Sequence, residues 1–243
     1  MQTGALGLIR DLPLSMQGYG VMHVIAFASQ KGGSGKTTLA GHVAVEAQRQ
    51  GLGPVALMDT DPQGSLSQWW NVRQAEEPFF ARASEAGLEA DLARLKEGGV
   101  KLVVIDTPPA ITSTIQHVIS LSDLVVIPTR PSPHDLRAAG ATVQLCEKLS
   151  KPLAFVLNGA SPRARITTEA AIALSHHGAV APSVVHQRVD FASSMIDGRT
   201  VMELSEKSKS TGEIGELLHF LEKRLRGDTS SPLLENQSLR GAA

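Results

Sequence analysis

The residues of this chain best suited to chemistry form one short run, Lys31-Gly32-Gly33-Ser34-Gly35-Lys36-Thr37-Thr38. It follows the apolar stretch 21–28 and opens a segment of helical apolar periodicity. Without bulk at Gly32, Gly33 and Gly35, successive backbone N–H groups can turn inward toward phosphate oxygens. Lys36 then supplies a point charge for the β- and γ-phosphates, the Thr37 hydroxyl is suited to ligate Mg²⁺, and Ser34 and Thr38 complete the loop. The standard phosphate-loop pattern would put a glycine at position 30; Gln30 stands there instead, and a second lysine, Lys31, begins the loop. Removing the γ-phosphate of ATP with water also needs a metal and a positioned nucleophile. Asp106 closes the apolar run Leu102–Asp106, where it would hold a metal-bound water. Asp61 is the candidate for orienting the attacking water, and Asp59 for supporting Mg²⁺ or the loop lysine. The plainer alternative for these two is Asx capping of the following segment, with Pro62 favouring a turn.

These residues need elements that end in the same place. Short apolar runs at 22–28, 55–59, 100–106, 123–128 and 152–158, bounded by turn signals, read as strands buried on both faces of a parallel sheet. Helical periodicity fills the gaps, at 36–50 with Gly51 as its stop, at 88–96 before Gly98-Gly99, and at 212–226. A last strand is expected at 180–186. Strands alternating with helices predict an α/β fold with a doubly wound, mostly parallel sheet and helices on both faces. Ligands in such a sheet sit beyond the carboxyl ends of the strands at the switch point. The three phosphate-site segments each begin where a strand stops, so the pattern brings them together. Residues 1–21 are expected to be a loosely attached extension, 22–226 the ATPase domain, and 227–243, rich in Ser, Gly and Pro, a mobile tail.

Bulk properties narrow the partners. A net charge of −1 over 243 residues gives no global attraction for nucleic acid or anionic lipid, so such binding requires a local basic patch. The single cysteine, Cys146, forbids an internal disulfide, suits a reducing cytoplasm and lies in an apolar-periodic run as a buried small hydrophobe. No apolar run approaches the roughly 18 residues of a membrane span.

Taken together, Lys31-Gly-Gly-Ser-Gly-Lys36-Thr-Thr resembles the deviant Walker A loop of the ParA/MinD ATPases. Further matches follow in order: Asp59-Thr-Asp61-Pro-Gln-Gly-Ser65, Leu102-Val-Val-Ile-Asp106-Thr-Pro-Pro109, and Ile127-Pro-Thr-Arg-Pro-Ser-Pro-His-Asp135. The last of these, with Gln187-Arg188, Gly198 and Glu203, is similar to the small ParF-like partition ATPases that lack an N-terminal DNA-binding domain. The resemblance implies an ATPase of weak intrinsic turnover that dimerises on ATP, with Lys31 reaching the nucleotide of the other subunit. It also implies non-specific DNA binding on the nucleoid and a ParB-like or cargo-adaptor partner that stimulates hydrolysis. Asn158 and Pro182 fall where the family contacts the base, the alternative being a turn asparagine and an ordinary loop proline. Arg188, Lys207, Lys209 and Arg224 are the DNA-contacting candidates, although acidic residues are interleaved with them and a solvated helix face explains Arg224 as well. The competing reading is a MinD-like membrane-associated regulator, which requires a basic amphipathic C-terminal helix; residues 230–243 carry too few basic residues for one. An iron–sulfur relative would need paired cysteines.

Overall fold

The computed structural model of the chain describes residues 21–83, 87–110 and 112–227. The expectations for residues 1–20 and 228–243, including the alternative membrane helix at 230–243, lie outside the described residues.

The first half alternates β1 (His23–Phe27), α1 (Lys36–Arg49), β2 (Val55–Asp59), α2 (Ser65–Val72), β3 (Phe79–Arg82), α3 (Leu88–Glu97), β4 (Leu102–Asp106) and α4 (Ser113–Leu121). The second continues with β5 (Leu124–Thr129), α5 (Pro133–Lys148), β6 (Leu153–Ala160), α6 (Arg165–Ser175), β7 (Ala179–Val180) and β8 (Val185–His186). It closes with α7 (Val189–Ser194), a 3-10 turn at Met195–Asp197, α8 (Val201–Leu204) and α9 (Lys209–Leu225). The strands run β3-β2-β4-β1-β5-β6-β7, β8 also pairs with β6, and every described pairing is parallel.

Why this sheet is parallel is visible in the burial. Val24 and Ala26 face one layer with Met58 and Val103, while Ile25 and Phe27 face the other with Leu57 and Val104. Strands covered on both faces have no position for a polar residue, so their sequences are unbroken apolar runs. α1, α2, α8 and α9 cover one face, and α3 to α6 cover the other. Each fully buried Leu, Ile or Phe contributes on the order of 1.5–3 kcal/mol, so the strand interiors, with Phe27, Leu57 and Ile105 inaccessible, stabilise the sheet most. Cys146 is buried in the same way, and burial pushes its thiol up to about 12.

Three details differ from the sequence reading. The expected strand at 180–186 is two two-residue strands separated by a turn holding Pro182, which has no N–H to give a ladder. α9 starts at Lys209 rather than 212, because the Ser208 side chain accepts from Thr211 N and caps the helix there. The edge strand β3 has no counterpart in the sequence reading; it is four residues long and half exposed.

β1 sits between β4 and β5, and the chain reverses its direction of travel across the sheet there. That is the switch point, and the loops after β1 and β4 open onto it.

Candidate nucleotide site

The shape of the loop after β1 depends on its glycines. Gly33 and Gly35 take φ of 75° and 100°, a region L side chains avoid. A Cβ on Gly35 would lie 2.0 Å from Asn158 Nδ2, so the position requires glycine for space as well. Asn158, near the end of β6, donates from Nδ2 to Ser34 O at 2.7 Å and pins the loop. One of its two amide N–H groups is thereby committed to the loop, while the second N–H and Oδ1 remain open.

Lys36, the first residue of α1, is buried with 7% exposed and hydrogen-bonds to no described residue. Burial drives its ammonium below the usual range, opposed by the through-space pull of Asp106 and Asp61. A buried cation lacking a direct partner is an arrangement that an anionic phosphate completes.

Asp106 is the complementary case. Its Oδ2 accepts from Thr37 Oγ1 at 2.5 Å, while Oδ1 is buried without a partner. Burial pushes the carboxyl up to about 7; the Thr37 hydrogen bond works against this and neighbouring Asp59 adds to it. Its carbonyl holds Thr60 through N (3.0 Å) and Oγ1 (2.8 Å), fixing the chain after β2. An orphaned carboxylate oxygen beside a threonine hydroxyl fits a hard oxygen-seeking cation such as Mg²⁺, which takes one or two protein oxygens and leaves the rest to water and phosphate. No group of three or more His, Cys, Asp or Glu placed to hold a metal ion exists among the described residues, so a cation here would depend on such shared ligation.

Asp59 and Asp61 do cap. Asp59 accepts from Asp61 N through Oδ1 and from Ser67 N and Oγ through Oδ2, at 2.9–3.0 Å. Asp61 Oδ1 accepts from Gln63 N at 2.9 Å. The plainer alternative is therefore realised, and Asp59 has both oxygens occupied. Asp61 also borders a cleft of about 280 Å³, walled by Thr60, Pro62, Leu88 and His117, through which water reaches it.

Lys31 is turned away from the loop. Its Nζ lies 2.5 Å from Asp135 Oδ2, and Asp135 is 4% exposed. Ser132, the N-cap of α5, donates to the same oxygen and accepts from Asp135 N. Burial works to raise the Asp135 carboxyl, but the Lys31 and Ser132 hydrogen bonds hold it below the ordinary range.

A family model described as the CobQ/CobB/MinD/ParA nucleotide binding domain matches residues 25–201, which contain every group just described. The chain belongs to this family. Among curated relatives, the maintenance of carboxysome distribution protein A of Halothiobacillus neapolitanus is 29% identical over 205 residues, spanning 80% of this chain and 94% of the relative. Its namesake in Gloeobacter kilaueensis is 43% identical over 122 residues, 49% of this chain and 55% of that one. Among solved structures, the septum site-determining protein MinD of Pyrococcus horikoshii with Mg-ADP superposes with a TM-score of 0.71 at 16% identity, covering 84% of this chain and 97% of its own, which establishes the shared fold.

Within this ParA/MinD-family fold the remaining candidates are scattered. Pro182 is exposed in the turn between β7 and β8, beside Ser183, whose buried Oγ lacks a partner. Arg188 is tied to Glu213 on α9 at 2.6 Å, and that carboxylate also accepts from His186 N and Nδ1. Arg224 is half-buried, while Lys207 and Lys209 are exposed at the start of α9. Two residues that bear on the site were missed from sequence: Asp135 and Asn158 in its loop-clamping role. The Ser132-Pro133-x-Asp135 spacing is a helix-start signal that could have flagged the first; the second has no sequence signal. Among the described residues no helix is long and apolar enough to cross a membrane.

Proposed function

We propose that this chain is an ATPase that positions or segregates a large cargo, dimerising when it binds ATP and resetting when it hydrolyses it. The observation that carries the reading is the incomplete charge set at the switch point. A buried Lys36 without a direct partner and a buried Asp106 with one free oxygen await opposite charges that Mg-ATP provides together. Lys36 and the loop N–H groups bind the phosphates. Thr37 and Asp106 hold Mg²⁺, with Asp59 supporting residues 61–67 behind it, and the metal when bound neutralises phosphate charge. Asp61 orients the water. Ser34, Gly35 and Thr38 line the cradle, and Asn158 Oδ1 and Pro182 border the base.

Lys31 acts across the dimer, dispersing the charge that develops on the partner's γ-phosphate. To do so it leaves Asp135, whose carboxylate then keeps Ser132, the positive end of α5 and the nearby Arg130. Binding to DNA by the ATP dimer, a stimulating adaptor protein and association with the nucleoid complete the reading. The names of the carboxysome distribution relatives, one of which this chain matches over most of its length, favour a protein assembly as cargo.

Light scattering with Mg-ATP tests the core of it. Wild type should shift to dimer with ATP and not with ADP, and Lys31→Ala should keep most ATP binding while losing the stable dimer or its turnover. Identical dimerisation and turnover by wild type and Lys31→Ala would remove the trans role.

A further inference from the structure

A closed circuit of polar contacts leaves the nucleotide site, passes around the turn at 198–203 and returns. It starts at Thr38, whose carbonyl accepts from His42 Nδ1 at 2.7 Å. His42 is wholly inaccessible, and burial drives its imidazole down to about 4, so the ring is neutral. With Nδ1–H given to Thr38, Nε2 is an acceptor and takes the N–H of Val201 at 3.2 Å. Val201 opens α8, whose cap is reciprocal: Thr200 N and Oγ1 both donate to Glu203 Oε2 at 2.8 Å. Glu203 in turn receives Arg73 through two nitrogens, at 2.7 and 2.8 Å.

Arg73 ends α2, and only 3% of its side chain is exposed. It also donates to Gly198 O at 2.8 Å. Gly198 takes φ of 80°, and a Cβ there would lie 2.3 Å from Arg73 Cα, so the turn and the end of α2 are in backbone contact. α2 leads back to the site, with Trp69 Nε1 donating to Arg199 O and Ser67 to Asp59 Oδ2. Thr60 then binds the Asp106 carbonyl, and Asp106 binds Thr37.

His42, Arg73 and Glu203 do no phosphate chemistry, and a buried ion pair such as Arg73–Glu203 is by itself weak evidence for a stabilising role. What hydrogen bonds add is a fixed geometry. If α1 moved at Thr38 while the 198–203 turn stayed, a buried donor and acceptor would be left unmatched, so the two move together or not at all. We infer that His42 and Arg73 are positioning residues that tie the phosphate-loop helix α1 to α2, the helix that follows the Asp59–Ser65 loop, through the 198–203 turn, and carry the nucleotide state into α7–α9. The inference rests on the ATPase reading above.

Hydrogen exchange of the full chain, with and without Mg²⁺ and a non-hydrolysable ATP analogue, tests it. In wild type the analogue should slow exchange at 31–38 and also, by about threefold or more, across 198–204. Arg73→Lys and, separately, His42→Leu should keep the protection at 31–38 and lose it at 198–204. In both variants kcat, normalised to the concentration of ATP-binding sites so that unfolded protein does not count, should fall about tenfold with KM for ATP within about threefold. Wild-type protection confined to 31–38, or a 198–204 response retained in both variants, overturns the inference while sparing the ATPase reading. No wild-type protection at 31–38 overturns that reading, and the inference with it. The wild-type arm decides even if a variant fails to fold.

Discussion

At the carboxyl ends of β1 and β4, charged groups are buried and short of partners: Lys36 hydrogen-bonds to no described residue and Asp106 keeps a free oxygen. At the junction of β8 and α9 the charges answer one another, since Glu213 accepts from Arg188 and from His186 twice, leaving only Arg188 Nε unmatched. Both regions hold half-buried or buried ions, yet in the first an ammonium and a carboxylate oxygen at the phosphate loop lack protein partners, while in the second the carboxylate is fully answered and a single guanidinium nitrogen is left over. Unfinished charge marks where a ligand belongs; matched charge marks a joint between elements.

Replacing the unfinished cation should have the largest effect on binding. Lys36→Ala is expected to weaken ATP binding by about a hundredfold, as loss of a desolvated charged contact implies, and calorimetric titration will read it. Near-normal affinity would mean that the buried lysine completes nothing.

Asp61→Ala comes next. Turnover should drop by about a hundredfold or more while ATP still binds and the dimer accumulates, measured by phosphate release and light scattering. Full turnover would leave Asp61 with its capping role alone and move suspicion to Asp59.

On the matched side, Arg188→Ala should lower unfolding stability by about 1 kcal/mol, because it takes one charged hydrogen bond from a Glu213 carboxylate that keeps its two bonds from His186. Its effect on DNA affinity should be smaller than that of Lys207→Ala with Lys209→Ala, whose exposed charges are free to meet phosphates and should set the salt dependence. If anisotropy titrations on unrelated duplexes show Arg188→Ala abolishing binding with stability unchanged, the joint is itself a ligand site and the contrast fails.

The smallest effect concerns a group that avoids charge altogether. His42 has its pKa lowered to about 4 in the fold from 6.5, mainly by burial, with the Thr38 carbonyl and nearby Glu203 and Asp190 opposing. The unfolded chain therefore binds more protons between these values, and stability falls as pH drops through 6.5 toward 4. Between pH 7.5 and 5.5 His42 should account for about 1 kcal/mol, read as a shift in urea midpoint that His42→Leu removes. The raised Asp106 carboxyl titrates in the same window with the opposite sign, so the test is the difference between the two proteins: a His42→Leu variant whose stability follows pH just as wild type does would contradict a buried neutral ring.

The contrast also shows what sequence could reveal. β1, β2, β4, β5 and β6 were legible because strands buried on both faces leave no polar interruption, and Lys36, Thr37 and Asp106 stand at their ends. The split at 179–186 was announced by Pro182, but the apolar pairs Val180-Ala181 and Val184-Val185 on either side of it outweighed that signal and read as one run. Lys31 with Asp135, Arg73 with Glu203, and His42 with Val201 are separated by 104, 130 and 159 residues, and no local pattern announces such partners. Asp59 was ambiguous for a different reason: capping and metal support call for the same carboxylate in the same place.

Asn158 sets the tempo of the site as well as its shape. Because a strand residue clamps Ser34 O and fills the space over Gly35, the loop is preorganised, and an arriving nucleotide is spared ordering residues 31–35 at about 1–2 kcal/mol each. Association of ATP with such a cradle should run close to the rate of diffusive encounter, so the lifetime of the occupied state is governed by departure and hydrolysis rather than by capture.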